Sequence, residues 1–309
     1  MTDYLPEGKR IGTAKNLEYL SSPEGVREAM ARGVILEARA VLCDSEHNLT
    51  VDLGCMRGFV PREEGAVGIR EGTVRDIAVI SRVGRTICFT VTDVVTDAKG
   101  GALAILSRAQ AQKQCIAEYV GTLTAGDIIP AKVTHLEPFG AFCDIGCGVV
   151  ALMPIDTISV SRIEHPDERF SVGMDIRAVI KSRVGTRITL SHKELLGTWE
   201  ENAAAFSVGE TVPGVIRSIE NYGAFVELTP NLAGLAELRD HLRVGTEASV
   251  YIKSIIPQRM KIKLILIDCF DAAPSLTPPR YYLSEGHIDR FVYSPADCDK
   301  TIVTDFLEQ

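Results

Sequence analysis

Residues 137–146 read EPFGAFCDIG, and residues 221–230 read NYGAFVELTP. In a strand, side chains alternate between faces, so Phe139 and Phe142, three apart, belong on opposite sides. The glycine between them offers a way out. A β-bulge at Gly140 adds one residue, resets the alternation and returns both rings to one face. Gly223 does the same for Tyr222 and Phe225. Two rings side by side, with no Cβ between them, make a platform on which flat bases stack at ~1–3 kcal/mol per base. The plainer alternative is packing: Phe142 in a core, Phe139 capping a barrel end, and the glycine turning a corner.

The two stretches are part of a longer repeat. Tyr222 falls on Phe139 and Phe225 on Phe142, and the same offset matches Gly209 to Gly126 and Pro213 to Pro130. Further on, VGTEASVYIKS (244–254) matches VGMDIRAVIKS (172–182) at a shorter offset. The later unit has therefore lost part of one loop, within the stretch that corresponds to DTISVSRIEHPDERF (156–170). Loops tolerate such deletions where strands do not. A first copy is fainter: VDLG (51–54) meets CDIG (143–146), and SRVG occurs at 81–84 and at 182–185. The pattern is three related units of about 60–75 residues.

Each unit opens on Gly and reads as five short strands with Gly-marked bends. That predicts an all-β protein of three tandem five-stranded barrels of the oligonucleotide-binding type, at 33–97, 119–193 and 207–270. SRAQAQKQCIAEY (107–119) and SHKELLGTWEENAAAF (191–206) have helix-forming composition and serve as connectors. Residues 1–32 form an N-terminal arm in which Ser22 and Pro23 start a short helix. Residues 271–309 are a Pro-rich linker and a small tail. Its YYLSEGHIDRFVYS reads as a hairpin about Glu285-Gly286, and its Tyr281, Tyr282, Phe291 and Tyr293 read as a cluster packed on the third barrel, with an extension of the base-stacking surface as the alternative.

The chain has 309 residues, 46% hydrophobic and 24% charged, with net charge −8 and a pI near 5.4. An acidic chain does not coat duplex nucleic acid through phosphate neutralisation, although local basic stripes remain open to it. No apolar run is long enough to span a bilayer, and the N-terminus has no signal-peptide core. The eight cysteines lie at irregular spacings with no CxxC pair. They read as reduced, mostly buried thiols of a cytoplasmic protein, with no metal site and no cofactor. No G-x-S-x-G, P-loop, HExxH or GxGxxG motif points to an enzyme.

Basic residues accompany the rings. Lys132 and His135 lie on the first strand of the second unit, and Lys181, Arg183 and Arg187 on its closing strands. In the third unit Lys253 precedes IIPQRMKIKLIL (255–266), in which Arg259, Lys261 and Lys263 alternate with Met260, Ile262 and Leu264. Rings for bases beside cations for phosphates are what a single-strand groove needs.

FGAF followed by Cys143-Asp144-Ile145, and YGAF followed by Val226-Glu227-Leu228, resemble the signature of the S1 RNA-binding domain family. The opening AGD and VGE and the closing TRITLSHKEL fit as well. The likeness spans about residues 33–270, strong in the second unit, good in the third and weak in the first. It implies five-stranded antiparallel barrels that bind single-stranded RNA, as in multi-repeat members such as bacterial ribosomal S1 proteins, which hold messenger RNA. It maps the family's stacking aromatics onto Phe139, Phe142, Tyr222 and Phe225, and its last-strand basic residue onto Arg187 and Arg259. The family's histidine after the third strand is absent: Pro61, Pro154 and Glu237 stand there. The first unit has HNLT (47–50) in place of FGAF. It is expected not to stack RNA and, by analogy, to dock on the small ribosomal subunit. Two rival readings are a protein-interaction scaffold on the translation machinery and a regulator of RNA decay. Exposed rings favour RNA; buried rings favour the scaffold.

Overall fold

The computed structural model describes residues 4–97, 100–185, 187–270 and 276–307. The start of the expected linker, 271–275, lies outside the described residues. The fold contains three closed five-stranded barrels. The first comprises β1 (Leu36–Cys43), β2 (Leu49–Asp52), β3 (Arg57–Val60), β4 (Thr86–Thr96) and β5 (Ala102–Ser107). It therefore runs past the expected boundary at 97, because its fifth strand follows the Gly100-Gly101 turn. The second comprises β6 (Ile128–Glu137), β7 (Gly140–Asp144), β8 (Val150–Pro154), β9 (Asp175–Val184) and β10 (Arg187–Ser191). The third comprises β11 (Thr211–Glu220), β12 (Gly223–Thr229), β13 (Leu232–Ala236), β14 (Glu247–Ile256) and β15 (Lys261–Phe270). In each barrel the third and fifth strands pair in parallel and close the sheet. Closure removes the exposed edges on which open sheets aggregate.

Helices are few. Ahead of the first barrel stand α1 (Ala14–Leu20) and α2 (Pro23–Arg32). Ser22 caps α2 by accepting from the Gly25 N–H, as expected from Ser-Pro, and Gly33 ends it in the left-handed region at φ 62°. A single turn, α3 (Ile77–Ile80), interrupts the long β3–β4 loop. The first connector forms α4 (Arg108–Glu118) as expected. The second does not form one helix: Gly197, at φ 85°, separates a 3₁₀ turn over Lys193–Leu196 from the short α5 (Trp199–Ala203).

By internal contacts the chain divides into two units, residues 1–123 with 144–150, and residues 124–143 with 151–309. In the first, Leu36, Leu49, Val51, Ile87, Phe89 and Leu106 form the barrel core. Buried Glu7 accepts from Arg108 Nε at 2.7 Å, and its own N–H donates to Asp144 Oδ2 at 2.7 Å. Burial, with the Glu7 charge beside it, pushes the Asp144 carboxyl up to about 7. In the second unit, Ile216, Val226, Val250, Ile252 and Leu264 share one core with Trp199 of the connector and with Phe291, Tyr293 and Phe306 of the tail. The tail strands are β16 (Arg290–Val292) and β17 (Val303–Asp305), paired with each other. The hairpin expected about Glu285-Gly286 is absent, since that segment bonds to residues 126–128 instead. All eight cysteines are free thiols; four are buried and Cys269 is exposed.

Buried His192 carries a fully partnered ring: Nδ1 lies 3.0 Å from the Ile158 carbonyl and Nε2 3.2 Å from the Tyr281 hydroxyl. The carbonyl fixes the proton on Nδ1, so Nε2 accepts from Tyr281. Burial lowers its pKa to about 4. A histidine depressed in the folded state stabilises above its unfolded value near 6.5, and loses that contribution as pH falls toward 4. The second unit should therefore weaken between about pH 6.5 and 4, and His192→Gln should flatten that dependence. Urea midpoints across this range, wild type against variant, check it.

Candidate nucleic-acid interface

The ring pairs form, but not by the expected route. β6 ends at Glu137 and β7 begins at Gly140, so Phe139 sits in a two-residue turn and not at a bulge. The third barrel repeats this: Glu220 pairs with Gly223, leaving Asn221 and Tyr222 in the turn. The bulge in that pair lies on β11, between Ile216 and Ser218. A turn residue is free of strand alternation, so its ring can fold over the outer face toward the first outward ring of the next strand.

The glycine has a different task. A Cβ on Gly140 would lie 2.4 Å from the Met153 carbonyl oxygen, and one on Gly223 would lie 2.7 Å from that of Ala236. The second strand enters directly against the third, and no side chain fits between them. The result is nearly the same in both barrels. The Phe139 and Phe142 centroids are 6.0 Å apart at 90°, and those of Tyr222 and Phe225 are 6.2 Å apart at 89°. Such edge-to-face geometry is favourable in its own right. Phe139 is 56% exposed and Tyr222 65%, while Phe142 and Phe225 are half-buried. His135 extends the first pair, its ring 6.2 Å from Phe142 and near parallel at 28°, with Nε2 2.7 Å from Glu137. Ser218, opposite Phe225, fills the corresponding place in the third barrel.

Cross-strand pairing shows which cations share this face. In the third barrel Ser218 pairs with Phe225, Phe225 with Leu235, Leu235 with Lys263, and Lys263 with Ser254. Lys263 thus lies about 10 Å from Phe225, two strand spacings away. Lys261, two residues earlier on the same exposed face, points the same way. In the second barrel Leu152 pairs with Thr189, and Thr189 with Ser182. Arg187 therefore takes the place of Lys261. The expected match of Arg187 to Arg259 is corrected: the β14–β15 turn is longer than the β9–β10 turn, and Arg259 ends a 3₁₀ turn outside the strand. Arg183 pairs with Ile188, which is buried, so it leaves from the opposite face. Lys181 and Lys253 both sit at strand irregularities next to this row. Lys132, half-exposed on β6, lies one outward position before Thr134, whose hydroxyl donates to the Phe142 carbonyl at 3.0 Å.

The same row in the first barrel is Leu42, Thr50, Phe59, Ile105 and Asp93. It has no exposed ring pair, and Leu103 holds the place of Arg187 and Lys261, with exposed Arg57 paired beside it. Among the described residues no cluster of His, Cys, Asp or Glu is arranged to hold a metal ion, and no helix is long and apolar enough to cross a membrane.

Residues 122–193, the second barrel, match the family model described as "S1 RNA binding domain". The chain is 32% identical over 273 residues to the small ribosomal subunit protein bS1 of Staphylococcus aureus strain COL, covering 86% of this chain and 65% of that protein. The corresponding protein of Staphylococcus haemolyticus is 31% identical, covering 86% and 64%. The chain thus spans just under two thirds of these relatives' length. Among solved structures, a multidomain protein with nucleic acid binding domains from Streptococcus pneumoniae is 14% identical, covering 76% of this chain and 74% of that one with a TM-score of 0.25.

The exposed rings are not needed for folding. Phe139→Ala and Tyr222→Ala should each cost less than about 1 kcal/mol of unfolding free energy, the worth of one exposed ring pair. Gly140→Ala should cost about 1–3 kcal/mol, because backbone must move. Urea denaturation of the three variants checks the contrast.

Proposed function

We propose that this chain, whose middle barrel matches the S1 RNA binding domain model over residues 122–193, binds single-stranded RNA through the second and third barrels. One observation carries the reading. Two barrels present the same solvent-exposed ring pair at nearly the same distance and angle, with an outward cation at one equivalent place, Arg187 or Lys261. Core packing does not call for a ring that is more than half exposed.

Phe139 with Phe142, and Tyr222 with Phe225, stack bases. Lys132, His135, Lys181 and Arg187 in the second barrel, and Lys253, Lys261 and Lys263 in the third, neutralise phosphates. Arg259 and Arg183 stand at hairpin ends, where they reach a strand only as it enters or leaves. Stacking accepts every base, so sequence preference is weak. The relatives are named as small-subunit ribosomal proteins, which supports messenger RNA as the ligand and a cytoplasmic role in translation. The first barrel, without an exposed ring pair, does not stack RNA; docking on the small ribosomal subunit is the role we assign it. The mode of action is binding without catalysis. Exposed rings count against a pure scaffold, which would have no use for them.

Fluorescence anisotropy of a labelled single-stranded RNA tests this. Wild type should bind, and a folded Phe139→Ala/Phe142→Ala/Tyr222→Ala/Phe225→Ala variant should lose ~2 kcal/mol or more, about thirtyfold in Kd. Affinity should fall with added salt, reflecting phosphate contacts. Equal binding by the variant removes the stacking platform, and no binding by wild type at low salt removes the RNA reading.

A further inference from the structure

Residues 281–306 contain only two short strands, Arg290–Val292 and Val303–Asp305, yet they are anchored at intervals along their length. Their order comes from contacts with the second barrel, the connector and the third barrel. On the second barrel, the Arg177 N–H donates to the Tyr281 hydroxyl at 2.9 Å, and that hydroxyl meets His192. The Ile128 N–H donates to the Gly286 carbonyl at 3.0 Å, and the Ile288 N–H to that of Gly126 at 2.9 Å. His287 Nδ1 lies 2.7 Å from Asp127. On the connector, the Tyr282 N–H donates to the Leu195 carbonyl and the Trp199 N–H to that of Tyr293. On the third barrel, the Tyr293 hydroxyl donates to the Asn231 carbonyl, and the Asp299 N–H to that of Gln258. Ile288, Phe291, Tyr293 and Phe306 are buried, and the apolar surface they remove from water favours the docked tail.

The β8–β9 loop of the second barrel adds a second tie. It holds the stretch that the third unit lacks. Its Val160 N–H donates to Asn231 Oδ1 at 3.0 Å, and its Ser161 N–H to the Pro230 carbonyl at 3.0 Å. Its Arg169 and Glu168 pair with Glu227 and Arg217 of the third barrel. Fully buried Asn231 is the hub. Its amide nitrogen also donates to the Lys193 and Gly197 carbonyls, both at 2.8 Å. All of its side-chain polar groups are used.

We propose that residues 281–306 are a positioning strap that, with Asn231 and the β8–β9 loop, locks the second and third barrels into one composite site for a single RNA strand spanning both. The inference rests on the RNA reading of the ring pairs. Among the described residues no hydrogen bond or ring contact links either ring pair to the strap, so each barrel's own grip does not depend on it. What the strap supplies is a fixed separation between the two pairs. A strand held by one barrel then meets the other at a set effective concentration, without the ordering cost of two loosely tethered domains.

The test uses the full chain, a variant ending at Arg280, and full-length Asn231→Asp, which keeps the strap but turns a carboxylate toward two carbonyls. Each is titrated with single-stranded RNA of roughly 8 and roughly 30 nucleotides, lengths chosen for one and for two barrels of this type. Backbone ¹⁵N relaxation is recorded on each free protein. Wild type should tumble with one correlation time for residues 128–191 and 211–270, and should bind the longer RNA at least about tenfold more tightly than the shorter. In either variant that advantage should shrink about tenfold with the short-RNA affinity unchanged, and the barrels should tumble separately. A folded variant that keeps the long-RNA advantage, or the single correlation time, overturns the strap. If wild type binds neither RNA, the RNA reading fails and relaxation alone decides whether the strap locks the barrels. If the truncated chain does not fold, Asn231→Asp decides.

Discussion

No Cβ fits between Gly140 and the Met153 carbonyl, or between Gly223 and the Ala236 carbonyl. That close approach lets the second strand of each barrel start immediately after a two-residue turn. The turn in its place carries a ring over the sheet toward the first outward ring of the strand. The first barrel shows the converse. It has Asn48 where the others have glycine, its turn runs over residues 44–48, and Asp44 ties that turn by accepting from the Glu46 and Asn48 N–H groups, both at 2.9 Å. With the glycine gone and the turn longer, the rings are gone too. One steric constraint thus separates two barrels that present an exposed ring pair from one that does not.

The features that were legible in the sequence are local. A strand end, its turn and the start of the next strand are neighbours along the chain, so FGAF and YGAF carry the hairpin, its glycine and its two rings together. The three-barrel architecture is legible because the flanking pattern repeats, faintly in the first unit. Alternation breaks equally well at a bulge or at a turn, and residue spacing alone does not separate them. Counting from the match of VIKS to YIKS puts Arg259 on Arg187, but the extra length of the hairpin turn comes after that match. The first barrel's last strand follows a Gly-Gly turn that reads as an end.

What was illegible is non-local. The parallel pairing of β13 with β15 puts Lys263 on the row of Phe225, and no periodicity announces a contact that closes a barrel. The shortening of the third unit was visible as a gap, but not that the stretch retained in the second unit docks on its neighbour through Arg169, Glu227 and Asn231. The tail has almost no regular pattern of its own, since its order is set by the surfaces it crosses. The sequence did hint at its packing role, through an aromatic cluster that proves to be largely buried.

The central claim is that RNA contact is confined to the ring-bearing faces of two of the three barrels. Backbone amide shifts mapped during titration with an unlabelled single-stranded RNA test it most directly. The account predicts the largest shifts at 132–142, 187–189, 218–225 and 261–263, with residues 42–50 of the first barrel unmoved. Shifts concentrated on the first barrel, or spread over all three alike, would contradict it.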